Sequence, residues 1–143
     1  MQESTLELFN SSDCEIPTLD LQALAAIVKE IYIDNSTSFE WINVILMTNE
    51  EHTIMNHEYL NHDYPTDILT FPFEEQDSIN GELYINPFVA KENALNYQGT
   101  LYSELCRLII HGALHLVGFN DIVEEEKKEM KRLEDFYINK LTE

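Results

Sequence analysis

The stretch His111-Gly112-Ala113-Leu114-His115-Leu116-Val117-Gly118-Phe119-Asn120-Asp121 decides both what this chain folds around and what chemistry it can carry. Two imidazoles four residues apart project from one face of a helix, and a glycine three residues on can end that helix in a left-handed turn. A carboxylate a further three residues along can then swing back toward the histidines. The result is three ligands around one point, the number that catalytic zinc takes from a protein while a fourth position stays open. His111, His115 and Asp121 are therefore expected to hold a metal ion, and the function class that follows is a metal-dependent hydrolase. Leu108, Ile109, Ile110, Leu114, Leu116 and Val117 make the helix apolar nearly all round, so these are buried histidines that need partners.

Asp121 has a competing role, because with Glu124 it reads as the cap and first-turn acid of a following helix. The residue after the first histidine is also informative. Zinc peptidases with a His-Glu-x-x-His helix use that glutamate as general base, and here the position is Gly112. Peptidase chemistry of that form is disfavoured, and the glycine is expected to let a backbone or a bulky substrate approach the helix closely.

Residues 111 to 119 resemble the helix motif of the YbeY-type rRNA maturation endoribonucleases, His-Gly-x-Leu-His-Leu-x-Gly-Tyr/Phe. Upstream, Tyr64-Pro65-Thr66-Asp67-Ile68-Leu69-Thr70-Phe71-Pro72-Phe73 is similar to the family's Pro-Thr-Asp-Val-Leu-Ser-Phe-Pro segment, and Gly81-Glu82-Leu83-Tyr84-Ile85 to its Gly-Asp-Ile-x-Ile strand. The resemblance implies an endoribonuclease acting on single-stranded rRNA in small-subunit 3′-end maturation, with a ribosomal subunit or an associated protein as partner and no role for DNA. Where the family has Asp-His after the aromatic, this chain has Asn120-Asp121, so the third ligand is a carboxylate. Zinc accepts two histidines and an aspartate, but the harder oxygen admits manganese or iron as well. The family's arginine six residues before its threonine is Leu60 here. Arg107, one turn before His111, is the candidate substitute for stabilising charge on a phosphate, against the plainer reading of a salt bridge to Glu104. Glu82 is a candidate to reach a water at the site, or else faces solvent on its strand. Two other classes compete: a ribosome-assembly factor that binds without cutting, and a metal hydrolase of an unrelated substrate.

A length of 143 residues with 44% hydrophobic content suits one domain, residues 1 to 143, with a core of its own. Two cysteines make no disulfide framework, and with no leader-like start or bilayer-length apolar run they point to a cytoplasmic protein with no membrane role. The net charge of −19, with 27 acids against eight Lys and Arg, excludes bulk attraction to RNA, so a partner is expected to deliver the substrate. Six of the eight cations lie in the last 37 residues. Glu124 with Lys128 and Lys131 with Asp135 are spaced for pairing along a solvated helix face.

Hydrophobic periodicity gives an α+β organisation: a small mixed four-stranded sheet with about five helices, the metal on the penultimate one. Strands are expected near residues 3–9, 41–48, 67–73 and 79–86, the last two joined through an acidic turn over 74–80. Helices are expected from a cap at Thr18 or Asp20 to Asp34, and over 50–60, 102–117 and 122–141, with 87–96 helical or irregular. His52, His57 and His62 recur every five residues, cannot share a helix face, and are expected at the surface. Thr66 and Asp67 either line the cleft or fix a turn, and Phe71 and Tyr84 either stack on bases or pack in the core.

Overall fold

The computed structural model describes residues 4–60, 67–96 and 98–141, and within them the strands and helices follow the expected order. Strand β1 (Thr5–Asn10), helix α1 (Leu21–Asp34), β2 (Trp41–Leu46), α2 (Asn49–Leu60), β3 (Ile68–Glu75), β4 (Ser78–Ile85), α3 (Pro87–Asn96), α4 (Leu101–Leu116) and α5 (Glu124–Ile138) run in turn, ending in a 3-10 turn, Asn139–Leu141. The sheet order is β1-β2-β4-β3, with β1, β2 and β4 parallel and β3 antiparallel to β4. The fold is α+β with a mixed four-stranded sheet, as the periodicity predicts.

Local chemistry sets the ends of these elements. Asp20, not Thr18, caps α1, its Oδ1 accepting from the Ala23 N–H at 3.1 Å. Thr100 caps α4 reciprocally with Ser103. The acidic stretch 74–80 is mostly strand: only Gln76 and Asp77 turn, with Gln76 at φ 49° and Glu75 paired to Ser78 across the ladder. Residues 87–96 are a helix.

The pleat sorts the sheet into two faces. Ile42, Val44, Leu46, Leu83 and Ile85 are fully buried, and Gly81, Leu83 and Ile85 share the face on which α4 lies. A Cβ on Gly112 would stand 2.8 Å from a Leu83 methyl and 3.1 Å from Ile68 Cδ1, and one on Gly81 2.7 Å from Leu116. Glycine at 112 thus serves close packing of helix on sheet, not the approach of a substrate. Leu24, Val28, Ile31, Leu105, Ile109, Ile110 and Leu114 complete one apolar core. Each fully buried Leu or Ile contributes roughly 1.5–3 kcal/mol. Helix α5 joins it through Met130, Glu134 and Tyr137, the Tyr137 hydroxyl donating to Asp34 Oδ2 at 2.6 Å.

Candidate metal centre

Helix α4 ends because Gly118 takes φ 109°, a conformation side chains resist. The Gly118 N–H donates to the His115 carbonyl at 3.0 Å and the Phe119 N–H to the Leu114 carbonyl at 3.0 Å, the paired bonds of a Schellman turn. That turn carries the Phe119 carbonyl over His115 and brings Asp121 back toward the helix face. The next helix starts at Glu124, where Glu126 Oε1 accepts from the Ile122 and Val123 N–H groups at 3.3 and 3.1 Å. Glu126, not Asp121, therefore satisfies the start of α5, which leaves the Asp121 carboxylate available to the histidines.

The three side chains converge. His111 Nε2 and His115 Nε2 stand 3.0 Å apart, with Asp121 Oδ2 at 3.4 and 3.6 Å from them. His111, His115 and Asp121 are the group that could hold a metal ion among the described residues. Four-coordinate zinc with bonds of about 2.0 Å places neighbouring donors about 3.3 Å apart, so the donor spacing already fits a tetrahedral ion.

The outer bonds aim the rings. His115 Nδ1 lies 2.9 Å from the Phe119 carbonyl, which can only accept, so Nδ1 carries the hydrogen. His111 Nδ1 donates to Glu134 Oε2 at 2.5 Å. Both Nε2 atoms thus turn inward, where they could ligate an ion, with outer partners placed as in carboxylate–histidine–metal relays. Burial draws His111 down, but the Glu134 hydrogen bond and the charges of Glu134, Asp121 and Asp67 outweigh it and hold its pKa above the ordinary value. Burial and the neighbouring His111 charge push His115 below it.

A cavity of about 640 Å³ opens beside the histidines, lined by Asp67, Asn93, Glu104, Arg107, His111, Asp121, Lys127, Met130, Lys131 and Glu134. Burial raises the Asp67 carboxyl, and burial with the Asp67 charge raises Glu104. Arg107 lines this cavity, but its partners are Glu134 Oε1 and Asp135 Oδ1 on α5, each at 3.0 Å, rather than Glu104. Glu82 stands elsewhere. It alternates with Leu83 onto the sheet face away from α4 and accepts from the Tyr84 hydroxyl at 2.9 Å, so it does not reach the histidines. Phe71 meets Tyr84 edge-on at 5.6 Å on that same far face, away from the cavity.

His52 is a correction to the surface expectation: it is fully buried, its Nε2 lies 2.9 Å from the Tyr84 carbonyl, and burial lowers its pKa. His57 is exposed. Thr66 and His62 lie outside the described residues, as does the side chain of Leu60. Glu134 is the functional residue that sequence reasoning missed. The signal was an acid at the core position of an apolar stripe, between Met130 and Tyr137. Among the described residues no helix is long and apolar enough to cross a membrane.

Comparison with known proteins identifies the family. The family model described as Endoribonuclease YbeY matches residues 8–142. A protein named Endoribonuclease YbeY from Chlorobium chlorochromatii is 40% identical over 138 residues, 96% of this chain and 86% of its own. Another of that name, from Azobacteroides pseudotrichonymphae, is 36% identical over 94% of this chain and 96% of its own. A solution structure from Thermotoga maritima superposes with a TM-score of 0.63 at 28% identity, covering 95% of this chain and 88% of that one. A family model that matches nearly the whole chain, with relatives of that name 36–40% identical over most of it, places this chain in the endoribonuclease YbeY family.

Proposed function

We propose that this chain is a metal-dependent endoribonuclease that cuts single-stranded RNA, acting in small-subunit rRNA 3′-end maturation in the cytoplasm, with the ribosomal small subunit or an associated protein presenting the substrate. The observation that carries the reading is the convergence of two inward Nε2 atoms and the Asp121 oxygen at tetrahedral donor spacing. The names of the relatives supply the RNA. In this reading His111, His115 and Asp121 hold the ion, with zinc the ion that the two imidazoles favour and manganese or iron admitted by the carboxylate. When bound, it supplies Lewis-acid chemistry for phosphodiester hydrolysis.

The chain's own residues do the rest. Glu134 keeps the His111 ring and tautomer fixed, and Phe119 does so for His115. Arg107 ties α4 to α5 and holds Glu134 in place, which makes it a positioning residue whose guanidinium also borders the substrate cavity. Asp67 and Glu104 supply carboxyl groups on the wall where Gly112 offers none. Glu82 receives no part in this reading.

The test is cleavage of a labelled single-stranded RNA with and without added zinc or manganese. Metal-dependent cutting that disappears in a folded His115→Ala variant supports the reading. Protein that cosediments with ribosomal subunits yet cuts no RNA under any metal contradicts it and favours a non-cleaving assembly factor.

A further inference from the structure

Helix α5 turns one stripe toward the cavity beside the metal group: Lys127, Met130, Lys131 and Glu134, the i, i+3, i+4, i+7 set of a helix face. Met130 and Glu134 are buried in the packing of α5, while Lys127 and Lys131 stay exposed at the rim. The expected i,i+4 pairing of Lys131 with Asp135 does not form, because Asp135 is bound to Arg107. Among the described residues, Arg107, Arg132 and Lys140 are taken up in ion pairs, with Glu134 and Asp135, with Glu129, and with Glu30 respectively. Lys127 and Lys131 have no such partner among those residues.

In a chain of net charge −19 this placement matters. The cavity wall carries the carboxylates Asp67, Glu104, Asp121 and Glu134, and the one cation that α4 places among them, Arg107, is committed to two acids. A polyanion entering the cavity needs donors that are not already spoken for. Among the described residues that line the cavity, the two lysines, one helical turn apart on one wall, are the cations without an ion pair.

Resting on the endoribonuclease reading above, we infer that Lys127 and Lys131 bind backbone phosphates of single-stranded RNA next to the bond that is cut. Lysine suits this as a flexible point charge with three donors. Such contacts position a strand without reading its sequence.

The experiment compares wild type, the double variant Lys127→Ala/Lys131→Ala, and the charge-matched control Lys91→Ala/Lys128→Ala, whose residues do not line the cavity. Cleavage of a labelled single-stranded RNA is measured with metal, and fluorescence anisotropy of the same RNA is measured in chelator, where nothing is cut. For the cavity double variant we expect KM and the dissociation constant to rise about tenfold while kcat stays within about twofold. The log–log salt slope is expected to shrink by about 1.4, near 0.7 for each single-strand phosphate that is no longer neutralised. The control is expected to track wild type, and circular dichroism should show all three folded alike. If wild type binds and cuts RNA but the cavity variant matches it, or the control is impaired as much, this inference is overturned and the endoribonuclease reading stands. If wild type neither binds nor cuts RNA, that reading falls and takes this inference with it.

Discussion

Glu134 and His111, 23 residues apart on different helices, meet at 2.5 Å, and the same carboxylate takes Arg107 at 3.0 Å with its other oxygen. One acid on the core side of α5 therefore orients a candidate metal ligand and locks α5 to α4. Its two functions can be separated.

Glu134→Gln keeps the shape and a hydrogen-bond acceptor but removes the charge that steadies the His111 imidazole. Outer partners of this kind typically contribute about 10–100-fold in metal affinity. A chelator competition should show zinc affinity falling within that range in Glu134→Gln, with the melting temperature little changed. Arg107→Ala should act in the same direction and more weakly, since Glu134 then loses its brace and not its carboxylate.

Gly112 and Gly118 are both glycines for physical reasons, and the reasons differ. Alanine at 112 meets Leu83 at 2.8 Å, so the cost is steric, about 1–3 kcal/mol as for other overpacked cores. A Leu83→Val change beside it should recover part of that loss in urea titrations. At 118 nothing lies within 4 Å of an added Cβ, yet φ is 109°. The cost of Gly118→Ala is therefore conformational, about 1–2 kcal/mol, with no rescue from trimming neighbours. Because the turn sets the Phe119 carbonyl and Asp121, Gly118→Ala should also weaken metal binding, whereas Gly112→Ala should chiefly lower stability.

Burial and the charge of Asp67 raise the Glu104 pKa, while Arg107 and His111 pull it down and Glu134 adds to the rise. A carboxyl raised in the fold binds its proton more tightly there than in the unfolded chain. Its ionisation therefore costs stability once pH passes the unfolded value, and the cost is complete above the folded value. Glu104→Gln should raise the melting temperature at pH 7 and leave it close to wild type near pH 4. An equal gain at both pH values would show that burial of the charge is not the cause.

Cys106 is 1% exposed, and burial pushes its thiol up to about 11. Both cysteines are free and buried. A thiol reagent at pH 8 should label neither in the native protein and both in guanidinium, so labelling reports opening of the core.

Much of the fold was legible because its signals are local. The alternation in β2, the stripe Leu24–Ile27–Val28–Ile31 in α1 and the apolar run of α4 each dictate one element. The histidine pair was legible for the same reason: helical spacing alone puts His111 and His115 together. What was not legible depends on distant partners. Glu134 and Arg107 meet only after α5 folds back on α4. His52 is buried because the Tyr84 carbonyl lies above it, a neighbour 32 residues away. The sequence left Glu82 open between the site and solvent because the face of a strand follows from what packs on it, and here α4 packs on Gly81 and Leu83. The spacing of Lys131 and Asp135 foretold a pair, but Asp135 instead meets Arg107, which bridges from α4 to both Glu134 and Asp135 on α5.

The central claim is that one cation sits among His111, His115 and Asp121. Zinc titration by calorimetry of wild type and Asp121→Ala tests it most directly. One equivalent should bind wild type, and removal of the carboxylate should weaken it by at least tenfold with the fold intact. One equivalent bound to Asp121→Ala with undiminished affinity, or none bound to wild type, would contradict the account.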